Sequence, residues 1–142
     1  MKKYLFLIIV IMVTTLFATA KTDFLSSFKT CSSYSESGTV NTQGMQVTSN
    51  KTIEGWEDNK CVYKEKVSFS GIDSTTICKF TKSQLDEIVS VMQAYELVQK
   101  YSNEKVDTSS LEANQNNPVV KVWQKYIQDS SVCNISGLKG LE

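Results

Sequence analysis

Between Cys31 and Phe80 the chain alternates apolar and polar residues with a period of two, in runs separated by turn-forming residues. No other feature limits the fold so tightly. A two-residue period puts one set of side chains on each face of a strand. Met45, Val47 and Ile53 share a side in one run, with polar residues opposite. Cys61, Tyr63, Val67 and Phe69 share a side in the next, and Thr76, Cys78 and Phe80 repeat it in a shorter one. Residues 31–80 therefore predict four antiparallel strands joined by tight loops.

The turn residues set an expected register. Asn41-Thr42-Gln43-Gly44 closes the first hairpin, Glu57-Asp58-Asn59 the second as a three-residue loop, and Ser70-Gly71-Ile72-Asp73 the third. Gly44 adopts a positive φ freely, and Asn59 tolerates the left-handed position. With Trp56 opposite Lys60, Ile53 faces Tyr63, Val47 faces Phe69 and Lys51 faces Glu65. The charged residue on each of these inward faces then meets its opposite. With Phe69 opposite Ser74, Tyr63 faces Phe80, Glu65 faces Cys78 and, on the outer face, Lys64 lies opposite Lys79. With Val40 opposite Met45, Gly38 meets Val47, Glu36 meets Ser49 and Tyr34 meets Lys51.

A helix follows the strands. In Phe80-Thr81-Lys82-Ser83-Gln84-Leu85, Thr81 reads as the N-cap, Gln84 reaches back to it, and Phe80 staples onto Leu85. The stripe Leu85, Ile88, Val89, Met92 and Tyr95, continued by Val98 or Gln99 to about Tyr101, is expected to cover the sheet. Residues 102–117 are polar and read as a loop or frayed extension. Asn117-Pro118 then reads as an N-cap with proline at the first helical position, opening a second helix near 118–129 that carries Val119, Val120, Trp123, Tyr126 and Ile127. Phe24, Leu25, Phe28 and Cys31 are spaced for a short N-terminal helix, and Val132 to Ile135 are apolar enough to dock. The expected fold is α+β: a four-stranded antiparallel meander, order 1-2-3-4, one face covered by a C-terminal helix pair.

Cys31, Cys61, Cys78 and Cys133 are spaced by 30, 17 and 55 residues, with no C-x-x-C. That spacing speaks against a zinc site or a redox pair and for two structural disulfides. In the expected register Cys61 sits near Gly55, and an extended first hairpin brings Cys31 near Glu54. Cys78 is offset from Cys61 by about four residues, or ~13 Å at ~3.3 Å per residue, too far to bridge. The favoured pairing is Cys31–Cys61 and Cys78–Cys133.

Lys2 and Lys3, the apolar run Tyr4–Val13 and the small residues Ala18 and Ala20 have the form of a cleavable leader over residues 1–20. Cleavage before Lys21 leaves residues 21–142 as a single exported domain, with 13 lysines against 15 acidic residues, a formal charge of −2. That balance selects no polyanion and no membrane surface. The expected setting is secreted or periplasmic, with no membrane anchor after cleavage.

All 15 basic residues are lysine, and histidine is absent. No imidazole base, His-supported triad or His metal site is possible, nor any guanidinium fork for phosphate or guanine. Ser-x-x-Lys spacings occur at Ser26–Lys29, Ser102–Lys105 and Ser136–Lys139, without the further motifs of a Ser–Lys hydrolase. Glu54, Glu57 and Asp58 cluster at a hairpin tip beside Trp56. They read as a solvated turn rather than an acid–base pair or calcium site, since neighbours in one loop cannot enclose a cation. Lys64, Lys66 and Lys79 on the outer face offer a platform for an anionic or sugar partner, against the plainer reading of a solvated face that resists aggregation. Asn50-Lys51-Thr52 and Asn134-Ile135-Ser136 match the N-glycosylation sequon, which matters only in a glycosylating pathway, and the short Lys-Lys leader has a bacterial look.

These residues point to a non-catalytic binding or interaction module with a protein or glycan partner in the cell envelope or exterior. No cofactor, metal or nucleic acid is expected. One alternative is an inhibitor of secreted hydrolases presenting the 54–60 hairpin tip through Trp56, Glu57 and Asp58. Another is a small carboxylate-based hydrolase.

Overall fold

A computed structural model describes residues 22–42, 44–102 and 116–137. The leader read at 1–20, the turn residue Gln43, most of the polar segment after Ser102 and the tail beyond Gly137 lie outside these ranges. In chain order the elements are α1 (Thr22–Thr30), β1 (Tyr34–Thr42), β2 (Met45–Glu57), β3 (Lys60–Phe69), β4 (Ile72–Phe80), α2 (Lys82–Ser102), α3 (Pro118–Ile127) and β5 (Cys133–Ser136).

The architecture is α+β with two disulfides, and the sheet has five strands in the order β1-β2-β3-β4-β5. The expected meander of four gains a fifth because Cys133-Asn134-Ile135-Ser136 pairs antiparallel with β4. Four residues are too few to show a period. What fixes them is Cys133 lying directly opposite Cys78, to which it is bridged, with Cα atoms 4.1 Å apart.

The pairing of β2 with β3 follows the expected register through Val47–Phe69, Lys51–Glu65 and Ile53–Tyr63, then shifts at a bulge between Ile53 and Gly55. Beyond it Trp56 faces Cys61 rather than Lys60, and the loop shortens to Asp58-Asn59. The other two hairpins are each displaced by two residues from expectation. Val40 faces Val47, Glu36 faces Lys51 and Tyr34 faces Ile53. Cys61 faces Phe80, Tyr63 faces Cys78 and Phe69 faces Ile72. The cause is loop length. The first hairpin closes between Thr42 and Met45 and the third between Phe69 and Ile72, each across two residues in place of the four expected. In the third, Ser70 and Gly71 both have positive φ and form a two-residue turn, whose twist suits a hairpin. A slip of two keeps every side chain on its face, so the predicted inward set survives. Lys64 and Lys79 are not cross-strand neighbours: Lys64 faces Ile77 and Lys79 faces Val62.

The helices end where their caps dictate. Gln84 Oε1 accepts from the Thr81 backbone N–H at 2.9 Å, and Thr81 Oγ1 accepts from Gln84 N–H at 3.4 Å, a capping box. Asn117 Oδ1 accepts from Val119 N–H at 2.8 Å, with Pro118 in the first turn of α3. Leu85, Ile88, Val89 and Met92 of α2 are buried, whereas Val98 and Tyr101 are exposed, so only the first half of α2 covers the core. The expected C-terminal helix pair is therefore incomplete as a cover, and α1 supplies the rest. Rings of Phe24 and Phe28 in α1 and Trp123 in α3 lie within 5.3–6.3 Å of the Tyr63 ring at the sheet centre. Phe80 joins them at 5.9 Å from Phe28 and 5.8 Å from Trp123. Aromatic groups at these separations and tilts add to the burial energy of a single continuous core.

A second, smaller apolar cluster of Val47 and Val67 with Phe69 sits further along the same face. Between the two clusters runs a polar row, Glu36–Lys51–Glu65–Thr76, one residue from each of four strands. Lys51 and Glu65 are 2 % and 1 % exposed.

Candidate functional site

Four devices converge on the tip of the β2–β3 hairpin. The first is the end of α1. Cys31 has φ 53°, and its N–H bonds to Phe28 O at 3.1 Å while Ser32 N–H bonds to Ser27 O at 2.8 Å. That is a Schellman ending with cysteine in the place usually taken by glycine. The second is the Cys31–Cys61 disulfide, which ties this ending to β3. The third is the bulge, where Gly55 takes φ 110°, a conformation disfavoured for residues with a side chain. The bulge reverses the alternation, so Trp56 pairs with the inward-facing Cys61 and leans toward α1. Its Nε1–H donates to Thr30 O at 3.2 Å, satisfying a carbonyl of the final turn of the helix. The fourth is the left-handed pair Asp58 and Asn59, which closes the hairpin tightly.

Trp56 nevertheless remains 45 % exposed. It belongs to both readings at once: an indole that braces the tip, with much of its surface left to solvent. Trp123 is 3 % exposed and is a core residue.

On the outer face, each lysine marked in the sequence has a carboxylate. Lys64 Nζ lies 2.7 Å from Glu54, Lys79 Nζ 2.9 Å from Glu57, and Lys66 Nζ 3.1 Å from Asp73. The Lys79 hydrogen bond and charge hold the Glu57 carboxyl below its ordinary range, and Glu57 in return raises Lys79. Asp73 is lowered by a Ser68 hydrogen bond and then by Lys66. The supposed cationic platform is thus locally neutralised. The acidic cluster is likewise divided, with Glu54 and Glu57 each turned to a different lysine. Among the described residues no group of three or more His, Cys, Asp or Glu side chains is placed to hold a metal ion.

The inner polar row is the other chemically unusual place. Ser49 Oγ donates to Glu65 Oε1 at 2.8 Å and Tyr63 Oη to Oε2 at 3.2 Å. Tyr34 Oη donates to Glu36 Oε2 at 2.8 Å. Burial pushes Glu65 up, against the opposing pull of Lys51 and its two hydroxyl partners. Burial lowers Lys51, against the pull of Glu65 and Glu36. The Tyr34 phenol is pushed up to about 12 by burial and by its bond to Glu36. Alternation found the Lys51–Glu65 pairing, but the displaced first hairpin hid Glu36 from it. The geometry describes a bonded, enclosed network: Glu65 is buried and engaged by two hydroxyls, which is poor placement for meeting a substrate.

No protein-family model, no curated protein and no solved structure matches this chain.

Proposed function

We propose that this chain is an exported, non-catalytic binding module that engages a protein partner through the β2–β3 hairpin tip. One observation carries the reading: a large aromatic side chain, 45 % exposed, held on a tip that is fixed from four directions. Tryptophan is enriched among residues that dominate interface energy, and a preorganised contact loses little entropy on binding. The outer lysines are weaker candidates because their charges are already answered by Glu54, Glu57 and Asp73. The disulfides are consistent with an oxidising compartment outside the cytoplasm.

The test is capture from the native exported fraction with the mature, oxidised domain. Trp56→Ala is expected to weaken capture of the bound protein about 30-fold, the equivalent of a 2 kcal/mol contact. Trp56→Phe keeps a ring and loses the bond to Thr30, so it separates contact from bracing. Retention by Trp56→Ala, with loss on charge reversal at Lys64, Lys66 and Lys79, would move the site to the sheet face. Turnover in a hydrolase substrate screen with no partner captured would overturn the reading altogether.

The rigidity of the tip favours one second reading, an inhibitor of secreted hydrolases inserting Trp56, Glu57 and Asp58. A panel of secreted hydrolases titrated with the oxidised domain decides it. Inhibition that vanishes in Cys31→Ala/Cys61→Ala, with the fold retained, supports the inhibitor.

A further inference from the structure

Both N-glycosylation sequons fall on strands, where alternation decides which way the acceptor amide points. Asn50 lies on β2 and Asn134 on β5, and both are exposed. Both project from the face opposite the one on which α1, α2 and α3 pack. Their inward neighbours Lys51 and Cys133 are buried.

The pairing relates the two sequons further. One row across the outer face reads Asn50–Lys66–Thr75–Ser136, and the adjacent row reads Thr52–Lys64–Ile77–Asn134. Each row holds the asparagine of one sequon and the hydroxyl of the other. The two acceptors thus sit antiparallel across three strand spacings, about 14 Å at ~4.8 Å each. An oligosaccharide at either position meets solvent and not the core. The strip between them is the ion-paired Lys64 and Lys66 region.

We infer that Asn50 and Asn134 are N-glycosylated, so that two oligosaccharides flank and cover the outer face of the sheet. In each transfer the asparagine amide nitrogen attacks the anomeric carbon of a polyprenyl-diphosphate-linked oligosaccharide. The C–N glycosidic bond forms, the C–O bond to the diphosphate breaks, the amide loses one proton, and the lipid diphosphate leaves. The donor belongs to the lumen of a glycosylating secretory pathway, an oxidising compartment that also suits the two disulfides. Although the short Lys2-Lys3 leader has a bacterial look, a basic start followed by an apolar run is a general export signal and is compatible with that route. Glycans here leave the hairpin tip as the uncovered end of the sheet, although the assignment does not rest on the tip being a binding site.

Intact-mass measurement of the mature protein from its own source is the test, before and after peptide N-glycosidase. The expected result is a mass excess of two oligosaccharides, each removed with conversion of its asparagine to aspartate. In a eukaryotic secretory host, Asn50→Gln and Asn134→Gln each remove one glycan, and the double variant removes both. Thr52→Ala and Ser136→Ala repeat the losses without touching the acceptor amides. A native protein at bare polypeptide mass overturns the inference, and glycan at only one of the two positions overturns the paired assignment. The wild-type mass decides even where a variant fails to be secreted.

Discussion

Removing the disulfides one at a time tests how the two halves of the fold are held. The bridges close loops of 30 and 55 residues that do not overlap in sequence. In the chain-entropy model the stabilisation is T(2.1 + 1.5R ln n), giving about 3.6 kcal/mol for Cys31–Cys61 and about 4.2 kcal/mol for Cys78–Cys133 at 25 °C. Because the loops are disjoint the two add to about 8 kcal/mol, against a typical domain stability of about 5–15 kcal/mol. Each double Cys→Ala variant is therefore expected to fold with a lowered urea midpoint, and the fourfold variant to be largely unfolded. The m-value should rise as each cross-link is lost, because the unfolded chain expands. The second bridge has an extra share, since β5 meets the sheet through a four-residue ladder beginning at Cys133. Linear-extrapolation urea titrations followed by tryptophan fluorescence measure all of this, with Trp123 in the core as reporter. Losses below about 1 kcal/mol, or a fourfold variant as stable as either double, would refute the view that cross-linking of the unfolded chain dominates.

Other substitutions probe other elements. Lys51→Met leaves Glu65 and Glu36 without the lysine lying between them in the buried row and should cost about 3–5 kcal/mol, whereas Lys51→Met with Glu65→Leu should recover most of it; urea titration of both checks the contrast. Trp123→Ala removes a ring within 5.9 Å of Phe28, Tyr63 and Phe80, so a loss of about 3–5 kcal/mol and a blunted near-ultraviolet dichroism are expected. Asn59→Val forces a β-branched residue to φ 61° and should cost about 1–2 kcal/mol by thermal or urea melting. Glu87 in α2 is held below its ordinary value of 4.5 by hydrogen bonds from Lys125 and Tyr126 of α3. Its depressed value means that the stabilisation is complete above the unfolded value and is lost as pH falls through the folded one. The gap in urea midpoint between wild type and Glu87→Gln should therefore close as pH drops from about 4.5, and a gap unchanged down to pH 2 would exclude the linkage.

Much of the fold was legible because the signals were local. A capping box at Thr81–Gln84, a cap at Asn117 before Pro118 and strict alternation in β2 and β3 each involve residues a few positions apart. What failed depended on counting residues across a turn. Ser70-Gly71 and Asp58-Asn59 both adopt left-handed conformations at two successive positions, and only Gly71 is a glycine. Without the usual Asn-Gly signature neither pair announces a two-residue loop. At Ser70-Gly71 the register moves by two, as it does at the Thr42–Met45 turn, whereas at Asp58-Asn59 the bulge at Gly55 absorbs the shorter loop. The disulfide pairing came out as favoured although its premise moved: Cys61 faces Phe80, so Cys78 stands two positions from Cys61, not four. The bulge at Gly55 was also invisible as such. A glycine inside an alternating run, two residues from a tip, was its one trace.

The bulge matters beyond register because it decides which part of the sheet is stiff. Without it, Trp56 would continue the alternation onto the outer face, away from α1. With it, the indole meets the last turn of α1, whose next residue, Cys31, is bridged to β3. Both disulfides and the continuous aromatic core lie on the side of the Glu36–Lys51–Glu65 row toward the hairpin tip. The Val47–Val67 cluster, with Phe69 packed against it, lies on the other side of that row, away from both bridges. A charged row of this kind interrupts apolar packing, so the two clusters need not open together. Native-state hydrogen exchange should show amides around Tyr63 and Phe80 exchanging only by global unfolding. Those around Val47 and Val67 should open at lower free energy. Uniform protection across the row would mean that the polar residues bind the two clusters into one unit, and the tip would lose its claim to stand on the stiffer half of the molecule.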